Sequence, residues 1–353
     1  MKVLIYTDVH FCSYSSILRK RGYRYSERLE NCILSVNWAE KLASDNGCDI
    51  IICLGDFFDK ADLNSEELTA ISTSIQWANL PHYFLVGNHE AGLNSLEHNS
   101  ASIFNFNHLT NDNLFEVIDK PSIYNFGITD FVFIPYINEL DRRPFSDYLH
   151  MENNNRKIVF SHNDIAGIQY GAFKSENGFN LEDISKYSSI FINGHLHNGE
   201  ILQNKYPESC KAVINLGNLT GQNFSEDAFK YKHNTLILDT DTLDFNFVEN
   251  PYSYKFFKLD LTSKDIKCID SLPFSSVISL KCYDRDVETV KDHLKQNKNI
   301  AESRIVIEPT LMEITENQPE ITMQDHIQQF RDYILTVLPN DEILNQELLE
   351  ICK

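Results

Sequence analysis

No apolar run in this chain approaches the roughly 18 residues that a membrane span requires. Its opening MKVLIYTDVH places Lys2, Asp8 and His10 in what would be the core of a secretion signal. A soluble protein that is not exported, and so is cytoplasmic, is the expectation, with no membrane partner. Cysteine pairs of the CxxC kind are missing. Cys12, Cys32, Cys48, Cys53, Cys210, Cys268, Cys282 and Cys352 are scattered, most of them beside apolar residues where a thiol packs as a small hydrophobe. That pattern argues against a disulfide frame or a structural zinc cluster and suits a reducing compartment. Internal repeats and low-complexity segments are absent too. Positive charge is scarce, 31 Lys and Arg against 51 Asp and Glu, for a net −20 at pH 7. Such a surplus repels polyanions from most of the surface at long range. It does not rule out a local basic cluster, because the Debye length at cellular salt is only about 8 Å.

What the chain does have is apolar residue, 42% over 353 positions, enough for one large core or two domains. Short β-branched runs recur, KVLIYT, DIIICLG, HYFLVG, RKIVFS and SSIFING, each the length of a buried strand. Side chains able to hold a metal follow every one: Asp8 and His10, Asp56, Asn88 and His89, His162, then His195 and His197. In sheets covered by helices, ligands gather where parallel strands end, because loops from several strands converge there. Helical spacing lies between the runs. SERLENCILSVNWAEKLASDNG carries apolar residues at Leu29, Ile33, Val36 and, one turn on, Trp38 and Leu42, and ends at Gly47, a candidate C-cap, and SEELTAISTSIQWANL repeats the pattern. The layout predicts an α/β domain with a metal site on one rim.

The pieces differ in specificity. An Asp and a His two apart, as in Asp8-Val9-His10, occur often by chance, and GDFFD reads equally well as a turn in which Asp56 caps the next segment. GNHE and GHLH say more, since glycine permits a tight turn and residues at i and i+2 face one way on an extended backbone. All of them in this order, each after a strand, make a joint signal. His82, His98, His108, His150, His233, His293 and His326 lack that setting and read as surface or core histidines.

The ordered set Asp8-Val9-His10, Gly55-Asp56-Phe57-Phe58-Asp59, Gly87-Asn88-His89-Glu90, Ser161-His162-Asn163 and Gly194-His195-Leu196-His197 resembles the calcineurin-like metallophosphoesterase superfamily over Met1 to about Pro251. GIQYGAFKSENGFNLEDI after His162 and INLGNLTGQNFSEDA after GHLH make it most similar to SbcD-type nuclease subunits of recombination and repair complexes, in the form found in tailed phages. The resemblance implies an α/β metallophosphoesterase sandwich, central β-sheets flanked by helices, with a small α/β cap domain and a C-terminal helical arm. It implies one metal on Asp8, His10 and His197, a second on Asn88, His162 and His195, and Asp56 bridging the two. His89 would be catalytic, steadying phosphoryl oxygens or protonating the leaving alkoxide. Mixed imidazole, carboxylate and amide ligation favours two Mn²⁺, with Fe²⁺ or Mg²⁺ as alternatives. The expected activity is two-metal hydrolysis of DNA phosphodiesters at duplex ends or in single strands. Alternatives are a phosphoprotein phosphatase, a small-molecule phosphodiesterase or a non-cutting DNA-binding module. Glu90 stands where the nuclease pattern has Asp, as serine/threonine phosphatases do, whereas Lys60-Ala61 replaces the Arg-Gly pair of those phosphatases. Asp59 reads either as orienting a histidine or as capping a helix.

LRKRGYRYSERL, eight residues past His10, gathers Arg19, Lys20, Arg21, Arg24 and Arg28 around two tyrosines, a mixture suited to phosphates with a ring against sugar or base. Arg19, Lys20, Arg21 and Arg24 are the candidate DNA contacts; a solvated patch is the plain alternative. Beyond residues 1–251, SVISLKCY, DVETVKDHLKQ and SRIVIEP read as strand, helix and strand of the cap at 252–310. A polar linker follows at 311–321, then an arm at 322–353 whose Met323, Ile327, Phe330, Ile334 and Leu338 form one apolar stripe. The resemblance makes Ile327, Phe330 and Ile334 anchors for an SbcC-type ABC ATPase subunit, within a complex that holds a homodimer of this chain.

Overall fold

Both faces of the strand KVLIY are covered. Val3 and Ile5 enter one apolar layer with Ile50, Ile52, Phe131, Phe133, Ile158 and Phe160, while Leu4 and Tyr6 enter another with Leu29, Cys32 and Val36. A strand buried on both faces reads as a continuous apolar run rather than an alternating one, which is why these segments stand out in the sequence. Each such side chain contributes about 1.5–3 kcal/mol of burial. The computed structural model describes residues 1–18, 20–92, 95–105, 114–149, 153–170, 173–202 and 209–309.

The layer around Val3 and Ile5 separates two six-stranded sheets. In the first, β1 (Lys2–Tyr6), β2 (Ile50–Cys53) and β3 (His82–Leu85) run parallel, with Phe115–Ile118 beyond β3. Asn234–Asp239 and Phe245–Glu249 extend it antiparallel on the far side of β1. In the second, Thr129–Ile134, Arg156–Ser161, Ile190–Asn193 and Val213–Asn215 are parallel, edged antiparallel by Ser122–Phe126 and Glu200–Ile201. Three of the five runs read from sequence thus fall in one sheet and two in the other. Helices α1 (Glu27–Asp45) and α2 (Ser65–Thr73) cover the first sheet, and the outer face of the second packs on Phe145, Phe179 and Ile184. The Ser26 side chain accepts the Leu29 N–H to start α1, and Gly47, with φ +62°, follows its C-cap Asn46.

Lys255–Asp260, Ser276–Tyr283 and Ile300–Glu308 form a third sheet, with helix Val287–Gln296 packed on it through Val290 against Phe257, Leu259, Ile278 and Leu280. The strand KFFKLD, parallel to Ser276–Tyr283, had no counterpart in the sequence reading. Met1–Ile307 make one compact unit and Glu308–Lys353 another. The linker, the arm and its anchors Ile327, Phe330 and Ile334 lie outside the described residues. No described helix is long and apolar enough to cross a membrane. The described cysteines are all free thiols.

Candidate metal centre

The loops leaving β1 and β2 stay paired after their strands end: Asp8 N donates to Gly55 O at 3.0 Å, His10 N to Asp56 O at 3.0 Å and Phe11 N to Phe57 O at 2.7 Å. This pairing sets Asp8 and His10 beside Asp56. Asp8, His10, Asp56 and His195 have φ of 51°, 46°, 48° and 73°, the left-handed region that L-residues avoid. Such strain, of order 1–3 kcal/mol per residue, persists only where surrounding structure fixes it, and it concentrates at functional sites. Gly87 has the opposite role, because a Cβ there would collide with Asp56 Oδ1.

Asp8, His10 and His197 each offer one ligand atom, all within 4.8 Å of one another, and Asp56, His162 and His195 do the same. Asp56 Oδ2 lies 3.1 Å from His162 Nε2 and 3.9 Å from His10 Nε2, so one carboxylate oxygen faces both groups. Asn88 Oδ1 is 3.3 Å from His162 Nε2. His10 Nε2 and His197 Nε2 point at each other across 3.1 Å. All seven residues named as candidate ligands therefore converge. Their opposite ring nitrogens are engaged elsewhere: His10 Nδ1 by Asp59 Oδ1 at 2.9 Å, His162 Nδ1 by Leu54 O at 2.9 Å and His197 Nδ1 by Glu226 Oε1 at 3.0 Å. A proton held on Nδ1 turns Nε2 into the lone-pair donor a cation needs. Asp59 thus orients a histidine, the first of the two roles open to it from sequence. A further trio, His10, Asp59 and His89, also lies within ligand range, but there the Nδ1 atoms of both histidines are hydrogen-bonded to Asp59.

Asp8, His10, Asp56 and His162 are buried, whereas the side chains of His195, His197 and His89 are 14%, 24% and 41% exposed. The result is a buried anionic floor under an imidazole rim. Burial opposes the charge on Asp8, yet the surrounding histidines carry its pKa down to about 2, and they lower Asp56 as well. Burial also pulls His10 and His162 down, but Asp59, Asp8 and Asp56 lift His10 to about 10 and Asp56 lifts His162 to about 9. Without a cation the floor therefore fills its place with protons, and a binding cation has to displace them.

The profile of the calcineurin-like phosphoesterase family matches residues 1–199. This chain belongs to that family. Solved structures similar to the phosphoesterase include an archaeal phosphodiesterase at 14% identity, covering 70% of this chain and 99% of the other with a TM-score of 0.37. A dimetal phosphatase from Danio rerio is 14% identical, covering 71% and 99% with a TM-score of 0.41. A hypothetical protein from Thermus thermophilus is 12% identical, covering 71% and 100% with a TM-score of 0.40. No curated protein sequence matches the chain. The family uses two metal ions, and the residues here fit them: Asp8 Oδ1 is buried without a hydrogen-bond partner, 3.8 Å from both His10 Nε2 and His197 Nε2. A buried carboxylate oxygen left unmatched beside two imidazoles is a cation ligand in waiting.

His89 sits on the open side of the phosphoesterase site. Its backbone N–H donates to Asp56 Oδ1 at 2.9 Å, its Nδ1 to Asp59 O at 3.0 Å, and its ring meets that of His10 edge-on at 4.6 Å. Neither of these hydrogen bonds uses Nε2. Glu90, noticed in the sequence only as a departure from pattern, is fully buried, and its carboxylate accepts the N–H groups of Gly87 at 2.6 Å, Asp56 at 3.0 Å and Phe58 at 3.1 Å. Burial and the Asp56 charge push its pKa up to about 7 against those donors. Glu90→Ala strands three buried N–H groups at once, and at about 1–3 kcal/mol each a loss of roughly 3 kcal/mol or more is expected in urea unfolding of the metal-free chain; a loss below about 1 kcal/mol would show that the carboxylate does not hold this loop.

Arg28 parts company with the basic cluster it adjoins in sequence. It is 3% exposed and donates to Val9 O, His10 O, Thr220 Oγ1 and Gly221 O, bracing the loop that carries Asp8 and His10. The apolar run that follows it masks this role. Arg21 and Arg24 are exposed, and Arg24 lies over the Tyr25 ring at 5.1 Å. Lys20 Nζ donates to Ala301 O at 2.7 Å and faces Glu302 at 3.6 Å. Arg19 lies outside the described residues.

Proposed function

We propose that this phosphoesterase is a Mn²⁺-dependent DNA nuclease that trims DNA ends as the SbcD-type subunit of a recombination and repair complex. The observation that carries the reading is Asp56 Oδ2 facing two histidine groups, with His89 above it on the open side. Two bound cations would supply Lewis acidity and an activated water there. The chain's own part is to hold Asp8 and Asp56 as buried anions, to fix Nε2 of His10, His162 and His197 toward them, and to keep His89 over the reacting phosphoryl group. In its imidazolium form His89 donates from both nitrogens, to Asp59 O and to a leaving oxygen. Against a phosphoprotein phosphatase stands Lys60, in the place of the Arg those phosphatases carry, which is bound to Glu67 at 3.2 Å. The assay compares linear duplex DNA, a phosphoprotein and a cyclic nucleotide with Mn²⁺ and with chelator. Faster turnover of DNA, silent in chelator, supports the nuclease; preference for either other substrate overturns it.

For the basic loop, the reading assigns Arg19, Lys20, Arg21 and Arg24 to DNA phosphates. Neutralising each contact is expected to weaken binding equally for any sequence and to lower the salt slope by about 0.9. An unchanged slope after all four substitutions would leave them as a solvated patch. For the arm, the reading assigns Ile327, Phe330 and Ile334 to an apolar groove of an SbcC-type ABC ATPase. A chain ending before Ile321 is expected to keep metals and DNA cutting but not to co-purify with that ATPase; retained co-purification would refute the assignment.

A further inference from the structure

Glu226, in the INLGNLTGQNFSEDA segment that follows GHLH, is 1% exposed, and its Oε1 accepts a hydrogen bond from His197 Nδ1 at 3.0 Å. The carboxylate is itself fixed, Oε2 by the Gln222 N–H at 2.9 Å and Oε1 by Asn223 Nδ2 at 3.3 Å. The short segment that carries it is pinned to the third sheet on both sides. Phe224 packs edge-on against Phe256 at 5.2 Å, beneath the Arg304 guanidinium at 5.1 Å. On the other side Ala228 N donates to Phe256 O at 2.9 Å, and Phe229 meets Phe257 at 4.7 Å. Phe256 and Phe257 belong to the strand Lys255–Asp260.

We propose that Glu226 is a positioning residue for His197, and that through Phe224 and Phe229 the third sheet sets the geometry of the metal half-site formed by Asp8, His10 and His197. An imidazole among metal ligands needs its second nitrogen held if the first is to stay aimed, and loss of such a partner typically weakens metal binding 10- to 100-fold. This half-site leans on the third sheet through His197. The histidines of the other half-site are held from within the main body, His162 by Leu54 O and His195 beside Asp164 at 3.4 Å. A displacement of the third sheet therefore reaches His197 and leaves His162 in place.

The inference rests on the two-metal reading above, so one arm of its test needs no metal. In the metal-free wild-type chain, long-range ¹H–¹⁵N correlation of the His197 ring is expected to place a proton on Nδ1 with the shift of a hydrogen-bonded donor; a neutral ring protonated on Nε2 overturns the proposal. The second arm titrates Mn²⁺ alone into wild type, Glu226→Gln and Phe224→Ala and follows free Mn²⁺ by electron paramagnetic resonance. One of two sites is expected to weaken by about 10- to 100-fold in Glu226→Gln, and the same site several-fold in Phe224→Ala, with the other site unchanged. Equal weakening of both sites, or of neither, overturns it. Failure of the wild-type chain to bind two Mn²⁺ counts against the two-metal reading instead, while the tautomer still decides Glu226. Should a variant not fold, the wild-type ring measurement decides alone.

Discussion

Asp56→Ala is expected to end two-metal occupancy and to lower phosphodiester hydrolysis by roughly three orders of magnitude or more, beyond the 10²–10³ that follows loss of one positioned electrostatic group. Among the described residues Asp56 is the carboxylate grouped with His162 and His195. Its Oδ2 faces His162 Nε2 at 3.1 Å and His10 Nε2 at 3.9 Å, while its Oδ1 holds the His89 backbone at 2.9 Å. Removing it takes one negative charge from a buried floor that pairs Asp8 and Asp56 with imidazoles, and like-charged cations cannot sit close without a bridging anion. Equilibrium dialysis followed by elemental analysis counts the bound metal. A variant that still held two ions per chain with near-native turnover would show that Asp56 is not the bridge.

His89→Ala is expected to behave differently, keeping both metals and losing rate by roughly a hundredfold or more, as for a positioned acid or oxyanion stabiliser. The reason is geometric. The Nδ1 of His89 is committed to Asp59 O at 3.0 Å, and the ring is 41% exposed, outside the buried floor. Its backbone N–H, which fixes Asp56 Oδ1, survives the substitution. Metal content and turnover measured on the same preparation separate the roles, and loss of metal in parallel with rate would make His89 a ligand.

The candidate ligands stand out in the sequence more openly than the residues that support them. Asp8, His10, Asp56, Asn88, His162, His195 and His197 each follow an apolar run by a few residues, because parallel strands buried on both faces must end in loops at one edge. Helix α1 was legible for a similar local reason, a Ser26 cap and a Gly47 stop around a 3.6-residue repeat. Glu226 meets His197 across 29 positions and Glu90 meets Asp56 across 34; each stands in a segment the sequence marks, INLGNLTGQNFSEDA and GNHE, but neither segment says which distant group its carboxylate will meet. Arg28 looked like one more surface cation, since its basic neighbours at Lys20, Arg21 and Arg24 are exposed and only the folded chain turns it inward to His10 O. The split into two sheets was equally hidden. RKIVFS and SSIFING have the same local character as KVLIYT and DIIICLG, and sheet membership is decided by the apolar layer between Ile5 and Phe160 rather than by either strand.

Seven side chains from the ends of five strands converge around Asp56 as candidates for one binuclear metal site. Crystals of the wild-type chain grown with Mn²⁺ and measured at the manganese edge test it most directly. Two anomalous peaks per chain are expected, one among Asp8, His10 and His197 and one among Asn88, His162 and His195, with Asp56 touching both. A single peak at full occupancy, or peaks bound by Asp59 and His89 instead, would contradict it.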